Sequence, residues 1–274
     1  MAIHPTALIS PQAELDPTVE VGAYAVIDGP VQIGAGTRVY PHAYLTGWTR
    51  IGQNCQIHPF TVVGHLPQDV KFADVQSYCQ VGDECVLREG VSVHRGTEPG
   101  STTSIGRGCY FMAHSHVGHN CQVGDGVTLI NNVMLAGHVH VGNNAMMGGG
   151  AGIHQFVRIG ELTMIGGNAA VTNDVPPFFI LTGRNECVGV NRVGLRRAGL
   201  SAEERREIAM AYKLLYRGMA SFRDGVARLD ATLSTPAGRR LVEFLRGPTL
   251  RGFAGRPIKR RLGGVGDEPA DESA

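Results

Sequence analysis

The sequence predicts a mainly β protein, a parallel β-helix of hexapeptide repeats followed by a C-terminal α-helical domain. Three observations predict it. Every sixth residue from Ile3 to Val171 is apolar, except Asp69 and Pro99. Two residues before each stands a small or short side chain, as at Ala25, Ala43, Thr61, Ala73, Thr103, Ser115 and Ala169. Beyond Pro176-Pro177 this beat stops and helical spacing replaces it. Neither a helix nor an alternating strand has a period of six, whereas stacked hexapeptides do.

Each hexapeptide supplies one short strand and a corner, and three make a triangular coil of about 18 residues. The large aliphatic points into the prism, and the small residue fits beside the corner. A glycine often follows the aliphatic, as in Val21-Gly22, Ile33-Gly34, Val63-Gly64 and Val117-Gly118. At a strand spacing of ~4.8 Å, roughly nine coils over 3–171 make a prism about 45 Å long. Hexapeptide repeats coil left-handed, against the usual right-handed crossover, although periodicity alone does not give the hand. Flat faces and open ends need cover, so oligomerisation is expected.

Cys55, Cys79, Cys85, Cys109 and Cys121 keep the phase of the small residues, which makes them reduced core residues rather than a disulfide or metal framework. His65–Phe72 and Arg95–Gly100 break the strand character and resume in phase, leaving Val75 on the inward lattice. Both read as loops extruded from a coil, where binding residues tend to sit. The prism is expected to end at Asn173-Asp174-Val175-Pro176-Pro177, because proline cannot donate into a ladder.

This divides the chain into a β-helix at 1–177, a connector at 178–200, a helical domain at 201–255 and a polar tail at 256–274, expected to be disordered. Ser201 and Glu204 form a capping box for the first helix. Its apolar face is Ile208, Ala211, Tyr212, Leu214, Leu215 and Met219. Further helices are expected over 222–233 and 236–246.

The net charge of +1 gives no field that points to nucleic acid or a membrane surface. Aromatics at 6% are low for a core built as one thick layer of large side chains. The 38 glycines show no Gly-X-Y period, which excludes collagen. Met1-Ala2-Ile3-His4-Pro5 lacks the pattern of a signal peptide, and no apolar run of about 18 residues offers a membrane span. A soluble cytoplasmic protein is expected.

None of the 11 histidines falls on either inward lattice. His114, His116, His119, His138 and His154 therefore project outward or sit at corners. His119 and His138 are one coil apart with a one-residue offset, so both can line one groove. Two chemistries fit such a group. A neutral imidazole serves as a general base towards a hydroxyl, or three imidazoles hold Zn²⁺ with a water in the open position.

Several segments carry a more specific signal. They are Pro67-Gln68-Asp69-Val70-Lys71-Phe72, His94-Arg95-Gly96-Thr97, His116-Val117-Gly118-His119-Asn120-Cys121, Leu135-Ala136-Gly137-His138-Val139, Ile153-His154-Gln155-Phe156 and Gly189-Val190-Asn191-Arg192 through Arg197. In this order, over about residues 1–255, they resemble the UDP-N-acetylglucosamine O-acyltransferase family that starts lipid A synthesis.

The resemblance implies a homotrimer with active sites in clefts between prisms. It implies transfer of a 3-hydroxyacyl group from acyl carrier protein, carrying phosphopantetheine, to the 3-OH of UDP-N-acetylglucosamine, with no metal or other cofactor. By the same resemblance His119 is the general base and the Gly137 N–H the oxyanion donor. His116, Asn120, His138, His154, Gln155, Gln68, Asp69 and Lys71 contact substrate. Asn191 and Arg197 lie near the nucleotide, where a guanidinium suits a diphosphate. Met164 and Gly167 end the acyl groove, and Gly167, lacking a side chain, admits a longer chain. Arg205, Arg206, Lys213 and Arg217 either meet the acidic carrier protein or form a solvated helix face.

Two departures stand out. Asn120 replaces the aspartate usual after the base, and an amide cannot stabilise imidazolium by charge. Either a slower base or a carboxylate supplied from elsewhere is expected. Val193 replaces an acidic residue in a connector one residue shorter, which leaves open a 3-amino analogue of the sugar and an amide product. A metal site of the carbonic anhydrase type and a non-catalytic paralogue are the remaining readings.

Overall fold

The computed structural model describes residues 2–218 and 221–255. The tail at 256–274 and Met219 of the expected apolar face lie outside the described residues. Strands of two to four residues wind into a left-handed prism with three parallel faces. The first face begins at Ala2–Ile3, the second at Leu8–Ile9 and the third at Glu14–Leu15. Successive strands of a face are one coil apart, with Ala2 opposite Glu20. The aliphatic lattice forms one continuous core from Val21 through Ile57 and Leu129 to Val171. The five lattice cysteines are buried free thiols within it.

The corners explain the rest of the repeat. At Tyr40–Ala43, His58–Thr61, Met112–Ser115 and Ile130–Val133, the fourth residue's N–H donates back to the first carbonyl. The third residue of each has positive φ, as in a type II turn. The second residue's N–H has no acceptor in this turn, so proline fits there, as Pro41 and Pro59 do. The positive-φ place recurs every six residues and takes Asn120, Asn132, His138, Asn144 and Asn168, residue types that tolerate it.

Two coils are enlarged. Tyr78 stands opposite Trp48, thirty residues back instead of eighteen, so the loop at 66–77 adds two repeats. Thr102 stands opposite Tyr78, so the loop at 95–101 adds one repeat. Both insertions are multiples of six, and that is why the phase survives them. It also corrects one expectation. Ala73 and Val75 sit on the lattices by count only; they belong to the loop, with Ala73 exposed and Val75 half-buried.

The first face also extends past the expected end. Pro176-Pro177 occupies a corner, and Phe179–Thr182 then pairs in parallel with Met164–Ile165. Glu186–Val190 folds back antiparallel to it. A short helix that the sequence reading did not anticipate, α1 (Arg192–Arg197), follows with Asn191 as its cap. Next come α2 (Ala202–Tyr212), whose capping box of Ser201 and Glu204 is formed on both sides, a π-helical turn at Lys213–Arg217, α3 (Phe222–Thr232) and α4 (Pro236–Arg246).

The helices pack around Phe178, Phe179, Ile208, Tyr212, Leu215, Leu229 and Leu241 as a second core. Fully buried Asp174 accepts a 2.7 Å hydrogen bond from Arg158, whose guanidinium lies 4.5 Å from the Phe244 ring of α4. This pair joins the helices to the end of the prism. Among the described residues no helix is long and apolar enough to cross a membrane.

Candidate active site

Both loops leave the prism from one edge, between the second and third faces, in consecutive coils. The next coil carries His119 and Asn120 on that edge, the following one Gly137 and His138, and the one after it His154, Gln155 and Phe156. Arg95 binds the two loops together. Its buried side chain donates to Asp74 at 2.7 Å and lies over the Trp48 and Phe72 rings at 5.1 and 5.4 Å.

His119 is 9% exposed, and its Nδ1 is 2.9 Å from the Asn120 Oδ1. The surrounding bonds fix which way the Asn120 amide points. Its Oδ1 also accepts from the Thr97 N–H at 3.1 Å and the Thr97 hydroxyl at 2.8 Å, while its Nδ2 donates to the Glu98 carboxylate at 2.8 Å. A flipped amide would set donor against donor and oxygen against carboxylate. Because Oδ1 is an acceptor, Nδ1 of His119 carries the proton and Nε2 holds the lone pair.

Nε2 lies against Gly137, where a Cβ would collide with the His119 ring at Nε2 and Cε1. Gly137 occupies the turn position whose N–H has no acceptor in a regular corner. His138 donates its backbone N–H to the His119 carbonyl at 2.9 Å. Its ring meets His119 edge-on at 5.1 Å and stacks on Phe156 at 4.7 Å. The two rings that the spacing places one coil apart therefore meet within one chain.

The neighbouring imidazoles are held neutral. Burial pushes His94 down to about 4, with His116, His65 and His119 adding to it. Burial, then His119, lowers His116, whose Nδ1 shares a 2.8 Å hydrogen bond with the Ser92 hydroxyl. Burial and His119 lower His138 as well, opposed by Glu98 and Asp69. Asp69 accepts from the Lys71 N–H at 2.9 Å, and exposed Gln68 lies beside it. His154 and Gln155 are exposed at the top of this edge.

Other expected residues lie elsewhere on the chain. Met164 projects from the first face and Gly167 sits on the edge between the first and second faces, where an added Cβ meets only the Gly149 carbonyl, at 3.3 Å. The Asn191 side chain is occupied in the fold, accepting from Gly194 and donating to the Leu162 carbonyl at 2.8 Å. Arg197 is exposed at the end of α1, and exposed Val193 lies near its start.

Sequence reasoning missed Thr97 as an Asn120 partner and missed Glu98 altogether. The signal was present: an amide after the base lacks a charge, and the adjacent extruded loop carries a carboxylate. Among the described residues no group of three or more His, Cys, Asp or Glu side chains is arranged to hold a metal ion.

The bacterial transferase hexapeptide model matches residues 30–65 and 102–137, and the model of domain 2 of UDP-N-acetylglucosamine O-acyltransferase matches 174–254. An acyl-[acyl-carrier-protein]–UDP-N-acetylglucosamine O-acyltransferase of Anaeromyxobacter sp. is 45% identical over 92% of this chain and 99% of its own length. Its namesake in Syntrophobacter fumaroxidans is 40% identical over 92% and 99%. The solved UDP-N-acetylglucosamine O-acyltransferase of Moraxella catarrhalis superposes with a TM-score of 0.88 at 34% identity, covering 93% of this chain and all of that one. The Francisella novicida enzyme gives 0.89 at 31% identity, covering 93% and 94%. This chain belongs to the acyl-[acyl-carrier-protein]–UDP-N-acetylglucosamine O-acyltransferase family.

Proposed function

We propose that this protein transfers a 3-hydroxyacyl group from acyl carrier protein to the 3-hydroxyl of UDP-N-acetylglucosamine, the first step of lipid A synthesis, with His119 as general base. The observation that carries the chemistry is the fixed tautomer of His119, with Nδ1–H on Asn120 and the Nε2 lone pair facing Gly137. Nε2 removes the hydroxyl proton as the oxygen attacks the thioester carbonyl. The oxyanion is met by the Gly137 N–H. Collapse breaks the C–S bond, and the proton on Nε2 passes to the departing phosphopantetheine sulfur.

A homotrimer completes the site in this reading. His119 lies on one edge of the prism, while the acyl-groove residues Met164 and Gly167 lie on the first face and on the edge beside it, and a neighbouring copy brings the one region against the other. The outward residues of the faces support this. Leu8, Val26, Tyr44, Val62 and Met134 project from the second face and Met146 and Met164 from the first, while Glu14, Gln32, Arg50, Gln80 and Arg158 project from the third. Gln68, Asp69, Lys71, His116, His138, His154 and Gln155 line the cleft around the substrate, with Asn191 and Arg197 towards the nucleotide. Arg205, Arg206, Lys213 and Arg217 meet the carrier protein by charge.

The test is transfer from 3-hydroxyacyl carrier proteins of several chain lengths to UDP-N-acetylglucosamine and to its 3-amino analogue, with and without chelator. Ester formation that survives chelator is expected. Amide formation alone would reassign the acceptor, loss in chelator would bring back the metal reading, and no product with either acceptor would contradict an enzymatic role.

A further inference from the structure

The base of this site lacks the adjoining carboxylate its chemistry favours, yet a carboxylate stands one residue further out. We propose that Glu98 is a positioning residue for the transfer, supplying through Asn120 the negative charge that the amide itself lacks. The inference rests on the acyl-transfer reading above and concerns how that reaction is sustained with asparagine beside the base.

The geometry is a continuous chain. His119 Nδ1–H donates to Asn120 Oδ1 at 2.9 Å, and Asn120 Nδ2–H donates to Glu98 Oε2 at 2.8 Å. Both ends of the amide are used in the sense a relay needs, because the Thr97 N–H and hydroxyl exclude the flipped amide. The Asn120 N–H is held by the Thr103 hydroxyl at 2.7 Å, and positive φ fixes its side chain at the corner. Glu98 is fixed too. Its N–H donates to the Ser101 hydroxyl at 3.0 Å, and its carbonyl accepts from the Ser101 hydroxyl and N–H at 2.8 and 3.0 Å.

When Nε2 takes the substrate proton, positive charge spreads over the ring to Nδ1–H. An amide polarised by a carboxylate on its far side is a stronger acceptor for that N–H than an isolated amide. Burial pushes the Glu98 carboxyl up, but the hydrogen bonds it accepts, that from Asn120 among them, outweigh this and leave it below the usual carboxylate range. Glu98 is therefore ionised at neutral pH. The titratable groups packed near His119 are His94 from the coil below, His116 from its own coil and His138 from the coil above, with His65 acting on His94 and His140 and Asp69 of the longer loop acting on His138. His94, His116 and His138 are all lowered, and the carboxylates that act on this group, Glu98 and Asp69, do so through His138. Glu98 alone is hydrogen-bonded to Asn120.

The experiment is a double-mutant cycle on transfer by the full chain. Glu98→Gln keeps an acceptor for Asn120 Nδ2 and removes the charge. It is expected to lower kcat about tenfold with KM little changed. The acidic limb of the kcat profile should move to lower pH by about half a unit, because an imidazolium without its anion loses its proton more readily. Asn120→Asp places a carboxylate directly on Nδ1–H. In that background Glu98→Gln should cost nothing or raise kcat, because two adjacent carboxylates repel.

This loss or reversal of the effect is what a merely structural Glu98 would not produce. Equal losses in both backgrounds, no loss in the first, or a loss confined to KM would overturn the relay while leaving the transferase reading intact. A wild type that transfers to neither acceptor would overturn both.

Discussion

Two edges of the prism are built from the same corner and differ in what surrounds it. The edge between the first and second faces runs without interruption through Tyr24, His42 and Phe60, whose rings stack at 5.3 and 5.2 Å, and on to His114 and Asn132. The edge between the second and third faces repeats that geometry at Asn120, His138 and Phe156, with His138 on Phe156 at 4.7 Å. Its two preceding coils, however, extrude the loops at 66–77 and 95–101. Those loops bring Asp69, Thr97 and Glu98 to imidazoles that would otherwise be ordinary corner residues. The scaffold provides the shelf, and the interruptions set polar loop residues against it.

The largest effect should separate the edges outright. His119→Ala is expected to lower transfer by about a thousandfold, while His114→Ala, at a positive-φ corner of the uninterrupted edge, should stay close to wild type. Steady-state rates at matched protein concentration check this.

Gly137→Ala and Gly149→Ala form the next pair, since they hold the same place in their turns. A Cβ at Gly137 collides with the His119 ring, whereas one at Gly149 meets the Asn131 carbonyl at 3.3 Å and the Ile130 side chain at 3.5 Å. The first should lower kcat by about a hundredfold, in the range for a lost oxyanion donor or displaced base. The second should change it little.

Arg95→Ala removes the guanidinium that ties the loops together. Local destabilisation of about 2 kcal/mol is expected, read as faster proteolysis within 66–77 and a KM for the sugar nucleotide raised several-fold. The prism's unfolding midpoint should hardly move.

The last effect leaves transfer at neutral pH untouched and is on stability alone. His94 titrates at about 4 in the fold, below its ordinary value of 6.5, so the unfolded chain binds more protons between those values. Stability should be fully present above pH 6.5 and fall as pH drops towards 4, by on the order of 3 kcal/mol. Urea unfolding at pH 7 and 4.5 should show this dependence reduced in His94→Leu.

The scaffold was legible because burial repeats with the chain. Val21, Ile57, Leu129 and Val171 sit on one count of six, and the cysteines on the other. Asp69 and Pro99, the two failures of the count, each fall within an extruded loop. What the count concealed is the loops' extent. Insertions of two repeats and one repeat preserve phase, so Val75 kept its place on the lattice while leaving the wall.

The pairing of His119 with His138 was readable from a spacing of one coil. Asn191 was not readable as a helix cap, since α1 is too short for a periodic pattern. The Glu98 contact depends on how a loop folds back over a corner, and no local spacing encodes that.

The most direct test of His119 as the base at the interrupted edge is chemical rescue. Imidazole added to His119→Ala enters the space the side chain leaves, beside Gly137. A transfer rate that rises with neutral imidazole, and follows the basicity of substituted imidazoles, is the predicted result. A variant that binds both substrates yet gains nothing from imidazole would contradict the account.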